Sequence, residues 1–232
     1  MLKVWIIGPI AWDSVYYLEN LPQPGKFAQS LRSIERPGGT AANSAIAIAS
    51  TGIETGFAGY VGDDELSKKL LDCLTESKIS HFHIQHLNGK PSHVAIYVDL
   101  KGERTIIGLT EDRLDTVTLA GADLRKGDLV VFQLWRDHFK KDLQIAKDAG
   151  CITVVGIEGL SSDISADIAI GSESDLNSRP EDSLSSFQRI VVTQGSRGST
   201  EYSQDGSVFQ KALPANQVDA TGAGDAFLAG YI

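Results

Sequence analysis

Cysteine, methionine and proline are scarce in this 232-residue chain, at two, one and seven copies. Two cysteines, Cys73 and Cys151, can build neither a disulfide framework nor a four-ligand structural zinc site. Basic charge is also short, with 21 Lys and Arg against 30 Asp and Glu and a net charge of −9. Such a surface lacks the cations that displace counterions from nucleic acid or dock on anionic lipid, so neither partner is expected. No apolar run approaches the roughly 18 residues needed to cross a bilayer. Residues 1–8 hold one Lys and a short apolar run, which suits a first buried strand better than a signal peptide. A cytoplasmic address is the default expectation.

Glycine is abundant by contrast, at 23 residues, and much of it is clustered. Clustered glycine marks places where backbone turns sharply or approaches a ligand. The runs Val4–Ile7, Leu129–Leu134, Ile152–Ile157, Asp167–Ile170 and Ile190–Thr193 are apolar without alternation, as expected of parallel strands covered on both faces. Helices are expected at about 40–51, 63–78, 139–150 and 181–188. This βα alternation predicts a doubly wound, mostly parallel sheet. Residues 14–36 hold no clear helix, and His93–Asp99 with Arg104–Gly108 read as an antiparallel pair around Lys101-Gly102. The expected organisation is one domain over residues 1–232, with lid segments at about 14–36 and 90–110.

Two glycine-rich segments carry chemistry. In Arg36-Pro-Gly-Gly-Thr-Ala-Ala-Asn43, Gly38 and Gly39 precede an Ala-rich helix whose first amides favour polar or anionic groups. Asn43, on its ligand-facing end, can donate to and accept from a hydroxyl; a tight turn and an internal cap are the plainer alternative. In Asp219-Ala-Thr-Gly-Ala-Gly-Asp225, the small residues Gly222, Ala223 and Gly224 open an apolar helix. Their amides and the helix dipole form a hole for a transferring phosphoryl group. Asp225 beside that hole can take the proton of an attacking hydroxyl.

Together these segments resemble the two signatures of the ribokinase-like (PfkB) carbohydrate kinases, in the family's order from Val4 onward. The resemblance implies a three-layer α/β/α sandwich with a small β-lid, and ATP-dependent phosphorylation of a sugar hydroxyl with magnesium. Asp225 would be the general base and Gly222, Ala223 and Gly224 the anion hole. Asp13, Gly38, Gly39 and Asn43 would bind the acceptor, with Arg104 reaching in from the lid. Thr193, Gly195 and Gly198, in Thr193-Gln-Gly-Ser-Arg-Gly198, match a nucleotide-binding turn. There is no G-x-x-x-x-G-K-[ST] stretch and no G-x-G-x-x-G after the first strand, which excludes P-loop and dinucleotide folds.

The chain departs from the family pattern in two places. Where the family carries Asn-x-x-Glu, Ser172-Glu-Ser-Asp175 stands; Ser172 and Asp175 keep oxygen ligands for magnesium on shorter arms. Asp225 also lies seven residues from the last residue, so either a shortened chain or an incomplete nucleotide site is expected. A pentose or hexose is the expected acceptor, a nucleoside the nearest rival and a sugar phosphate the third. A sugar-binding relative without catalysis is the rival from another class. An exposed lid edge offers a route to a homodimer. His81, His83, His86 and His93 crowd together without carboxylate partners, and Trp5, Trp12 and Trp135 read as packing residues.

Overall fold

The computed structural model describes residues 2–161, 163–215 and 222–232. Val218, Asp219 and Thr221 of the second glycine-rich segment lie outside them. Nine strands form the main sheet: β1 (Lys3–Ile7), β4 (Glu54–Val61), β5 (His81–His86), β8 (Leu129–Phe132), β9 (Ile152–Gly156), β10 (Ala166–Ser172), β11 (Phe187–Thr193), β12 (Gly198–Ser203) and β13 (Gly206–Lys211). Their spatial order is β13-β12-β11-β10-β9-β8-β1-β4-β5. All neighbours from β11 to β5 are parallel, and β12 and β13 add an antiparallel hairpin at one edge. Four strands, β2 (Ala11–Leu18), β3 (Ser30–Gly38), β6 (Ser92–Val98) and β7 (Arg104–Gly108), make a second sheet in the order β3-β2-β6-β7.

Alternation along the buried strands separates two cores. Trp5 and Ile7 of β1 join Val130 and Phe132 of β8 on one face, with Leu143 of α3 (Lys140–Asp148). Val4 and Ile6 join Leu129 and Val131 on the other, with α1 (Thr40–Ser50), α2 (Glu65–Glu76) and α4 (Ala223–Tyr231). The result is a three-layer α/β/α arrangement with a separate β-layer over the ends of the parallel strands. Among the described residues, no helix is long and apolar enough to cross a membrane.

The five apolar runs became strands where expected, and three of the four expected helices formed. The helix expected at 181–188 did not. Pro180–Ser183 makes a short 3₁₀ turn, and Phe187 already opens β11 with its side chain buried in the core. Strand β4 escaped notice because Gly56 and Gly59 interrupt its apolar pattern. A Cβ at Gly56 would sit 2.5 Å from the Trp5 ring, and one at Gly59 2.7 Å from the Phe57 ring. These glycines are packing spacers rather than ligand turns. The tryptophans pack as expected: Trp5, Trp12 and Trp135 are buried. The histidines do not form one cluster, since His81 pairs with Glu54 at 2.7 Å and His93 belongs to the other sheet.

Candidate active site

Two helix N-termini meet at one carboxylate. Helix α1 starts after Gly39, whose φ of 97° and close approach to the Pro9 carbonyl admit no side chain. Helix α4 starts after Gly222, at φ 78°, and puts Asp225 in its first turn. Ala41, Ala45 and Ile48 of α1 and Leu228 of α4 are buried together, which draws the two helices side by side. Asn43 Nδ2 then donates to Asp225 Oδ2 at 3.2 Å, and Gln133 Nε2, just past β8, donates to Oδ1 at 3.3 Å. Asp225 is 7% exposed, and its pKa lies above the usual carboxylate range because burial penalises the charge, with the Asn43 amide pulling it back.

Asp225 lines two cavities. One, of about 380 Å³, lies under the four-stranded lid and is bordered by Asp13, Gly39, Asn43, Tyr60, Arg104 and Asp225. Gly222 also lines it. Asp13 is buried, and desolvation lifts its pKa to about 6 against the opposing pull of Arg36, its cross-strand partner. Gly38 is not a lining residue. It is the space for Asp13, because a Cβ there would collide with the Asp13 carboxylate.

The other cavity, of about 190 Å³, is bordered by Gln133, Glu158, Ser172, Asp175, Thr193 and Gly224, with Asp225 again at its wall. Both cavities sit at the C-terminal ends of parallel strands, where α/β sheets bind ligands. Gln133 Oε1 and Glu158 Oε2 are buried here with no hydrogen-bond partner. Burial pushes the Glu158 carboxyl pKa up, and Asp175 adds to the rise. Ser172 caps the turn after β10 by accepting from the Ser174 amide at 3.3 Å, so its hydroxyl is partly committed. Among the described residues no three His, Cys, Asp or Glu close a metal cage. The oxygen donors of Glu158 and Asp175 nevertheless suit a magnesium ion that keeps water and phosphate in most of its shell.

The expected residues divide accordingly. Asp13, Gly39, Asn43 and Arg104 share the lid cavity with Asp225, whereas Ser172, Asp175 and Thr193 share the smaller one. Ala223 is the first residue of α4 and Gly224 borders the smaller cavity. Gly195 and Gly198 line neither. They shape the turn between β11 and β12, at φ 58° and 131°, and Arg197 and Gln194 tie that turn to Glu173. Gln133 and Glu158 were missed in the sequence. Each is a polar residue closely following an apolar strand, and that break in hydropathy was the available signal. A third cavity, of about 350 Å³, lies at the far end of β10 and β11 by Lys147, Cys151 and Gln204, and gathers none of these groups.

A family model described as pfkB family carbohydrate kinase matches residues 1–154 and 166–232. The chain is 27% identical to the ATP-dependent ribose-1-phosphate kinase of Halopiger xanaduensis, over all of this chain and 84% of that protein. It is 26% identical to the fructokinase of Klebsiella pneumoniae, over 99% of this chain and 83% of that one. Its fold superposes on the Giardia lamblia ribokinase structure with a TM-score of 0.81 at 21% identity, covering 99% of this chain and 81% of the other.

Proposed function

The chain belongs to the pfkB family of carbohydrate kinases, and we propose that Asp225 is the general base with which it moves the γ-phosphoryl group of ATP to a sugar hydroxyl. It is an ATP-dependent sugar kinase with the ribokinase fold; the assignment of roles to residues is our reading. The observation that carries it is the position of Asp225 on the wall shared by the two cavities. A hydroxyl in the lid cavity and a phosphoryl group in the smaller one would meet at its carboxylate.

In this reading, Asp13, Gly39 and Asn43 orient the acceptor. Asp225 accepts the hydroxyl proton as the oxygen forms its bond to the γ-phosphorus and the bond to the β-phosphate oxygen breaks, releasing ADP. The raised Asp225 pKa makes it a stronger proton acceptor than an ordinary carboxylate, while Asn43 and Gln133 fix its two oxygens. The backbone amides of Gly222, Ala223 and Gly224 face the developing charge at the start of α4. Asp175 and Glu158 would hold magnesium, which when bound neutralises phosphate charge. Thr193 lies at that end of the site, and the Gly195–Gly198 turn would flank the nucleotide. The lid sheet would close over the acceptor and exclude water.

The same reading extends to assembly and place. Both lid edges, β3 and β7, are largely solvent-exposed, and we expect two copies to pair along one of them across a two-fold axis, which light scattering would detect. An ATP-consuming reaction of this kind is expected in the cytoplasm. The kinase reading is tested by coupled ADP release with magnesium-ATP over pentoses, hexoses and their phosphates. Acceptor-dependent release that chelation abolishes is the expected result. A sugar that raises the melting temperature without any release in its presence would favour the non-catalytic sugar-binding alternative.

A further inference from the structure

Strand β2 carries Asp13 on one face and its two chain neighbours on the other. Register sets the company that each face keeps. Arg36 of β3 and Val94 of β6 pair with Asp13, whereas Glu35 pairs with Ser14 and His93 with Trp12. On this second face the side chains join. Glu35 Oε2 accepts from Trp12 Nε1 at 2.5 Å and from Ser14 Oγ at 2.8 Å, and Ser14 Oγ lies 2.8 Å from His93 Nε2. Trp12 and Ser14 are buried, and Lys69 of α2 stands over the Trp12 ring, 5.3 Å from its centroid. The His93 backbone is tied as well, its N–H to Thr110 Oγ1 at 2.9 Å and its carbonyl to the Leu109 amide at 2.8 Å.

Donor counting gives this chain of bonds a direction. An indole N–H only donates and a carboxylate only accepts. Ser14 has one hydroxyl proton, and it goes to Glu35. Toward His93 the Ser14 oxygen then accepts, so His93 Nε2 carries a proton. The path from His93 through Ser14 to Glu35, joined there by Trp12, links β2, β3 and β6 at the level of Asp13. Nothing else sets that register as firmly. Residues 19–29 connect β2 to β3 without a tight turn, β3 is exposed over most of its length, and the pairing shifts between Tyr17 and Leu18. The Asp13 carboxylate occupies the space where a Gly38 side chain would stand, so its place depends on how β2 and β3 are held. A slip of one residue would turn Asp13 to the far face.

Resting on the reading of Asp13 as an acceptor-binding residue, we propose that Glu35 and Ser14 are positioning residues, which with Trp12 and the His93 Nε2 proton lock the lid strands so that Asp13 meets the acceptor. They act through Asp13, from the opposite face of β2.

The test uses Glu35→Ala, Glu35→Gln, Asp13→Asn and the double variant Glu35→Ala/Asp13→Asn. Glu35 is solvent-exposed, so shortening it leaves the core intact. The acceptor is whichever of ribose, fructose, glucose and inosine the wild type turns over best. Glu35→Ala should raise the acceptor KM about three- to tenfold, with kcat and the KM for ATP within about twofold of the wild type. Glu35→Gln, which keeps an accepting oxygen, should stay near the wild type. In the Asp13→Asn background, Glu35→Ala should add little. An unchanged acceptor KM in Glu35→Ala overturns the proposal, as does a loss shared equally with kcat or one that adds in full to Asp13→Asn. If Asp13→Asn alone leaves the acceptor KM unchanged, the reading of Asp13 fails first and this inference falls with it. If none of the four compounds releases ADP, the kinase reading fails, and calorimetric Kd values for them replace KM with the same criteria; a wild type that binds none of them overturns the inference. Ring nitrogen chemical shifts of neutral His93 give a readout without any acceptor. The proton is expected on Nε2 in the wild type, and a proton on Nδ1 overturns the proposal.

Discussion

The two cavities that share Asp225 are finished to different degrees. On the lid side, Asp13 nests in the space of Gly38 within reach of the Arg36 charge, and Asn43 is bonded to Asp225. On the other side, Glu158 Oε2 and Gln133 Oε1 are buried without partners inside the protein. Unpaired buried polar atoms cost free energy, on the order of 1–3 kcal/mol each. In the smaller cavity, a bound cation or donor would supply the missing partners. The lid side is thus the more completed of the two, and the two bare acceptor oxygens on the other side call for a cation or a hydrogen-bond donor.

Removing donors on the unfinished side should break that contrast most visibly. Glu158→Gln is expected to lower magnesium-dependent turnover about 10- to 100-fold, while acceptor-induced thermal shifts stay as in the wild type. The same change should raise stability at neutral pH. The Glu158 pKa is raised in the folded state, so its protonated carboxyl favours folding at low pH and that contribution is lost as pH rises through its folded pKa. Melting temperatures of both proteins at pH 5 and pH 8 check the sign: the gain from Gln should be larger at pH 8.

Next in size are the two amides that hold Asp225. Gln133→Leu and Asn43→Leu each remove a donor from one carboxylate oxygen and should raise the pKa of the base further. The acid limb of the kcat profile should move to higher pH in both variants. Only Asn43→Leu, on the lid side, should also weaken acceptor KM. Equal effects on KM would erase the distinction between the sides.

Acidification probes the lid side alone. Asp13 titrates at about 6 in the folded protein, so acceptor KM should rise several-fold as pH drops through that value, and Asp13→Asn should flatten the response. Because this pKa is raised from 3.8, the stability that Asp13 contributes is complete below about pH 4 and lost as pH rises through 6. Gly39→Ala acts on stability rather than titration: the 97° φ and the backbone of Pro9, Ile10 and Ala11 within 2.9 Å of the new Cβ should cost at least about 1–3 kcal/mol. Chemical denaturation measures it.

Legibility in the sequence followed the same division. Uninterrupted apolar runs announced the parallel strands, and both glycine-rich segments announced the helix starts that converge on Asp225. What those segments lacked was their neighbours. Gln133 and Glu158 reach the site from the ends of β8 and β9, and only the order of strands in the sheet brings them beside Asp225. Residues 181–188 misled because Leu184 and Phe187 mimic a helical spacing, while Pro180 and the buried Phe187 commit the stretch to a short turn and a strand. Gly56 and Gly59 hid β4 for a packing reason that concerns Trp5 and Phe57, not any ligand.

The most direct test of Asp225 as the joint between the two sides uses one substitution and two readouts on the same sample. Asp225→Asn keeps the shape of the junction and removes the proton acceptor. ADP release should fall by about 10² to 10⁴-fold, with acceptor-induced thermal stabilisation retained. Release within about threefold of the wild type would contradict the assignment and require another base.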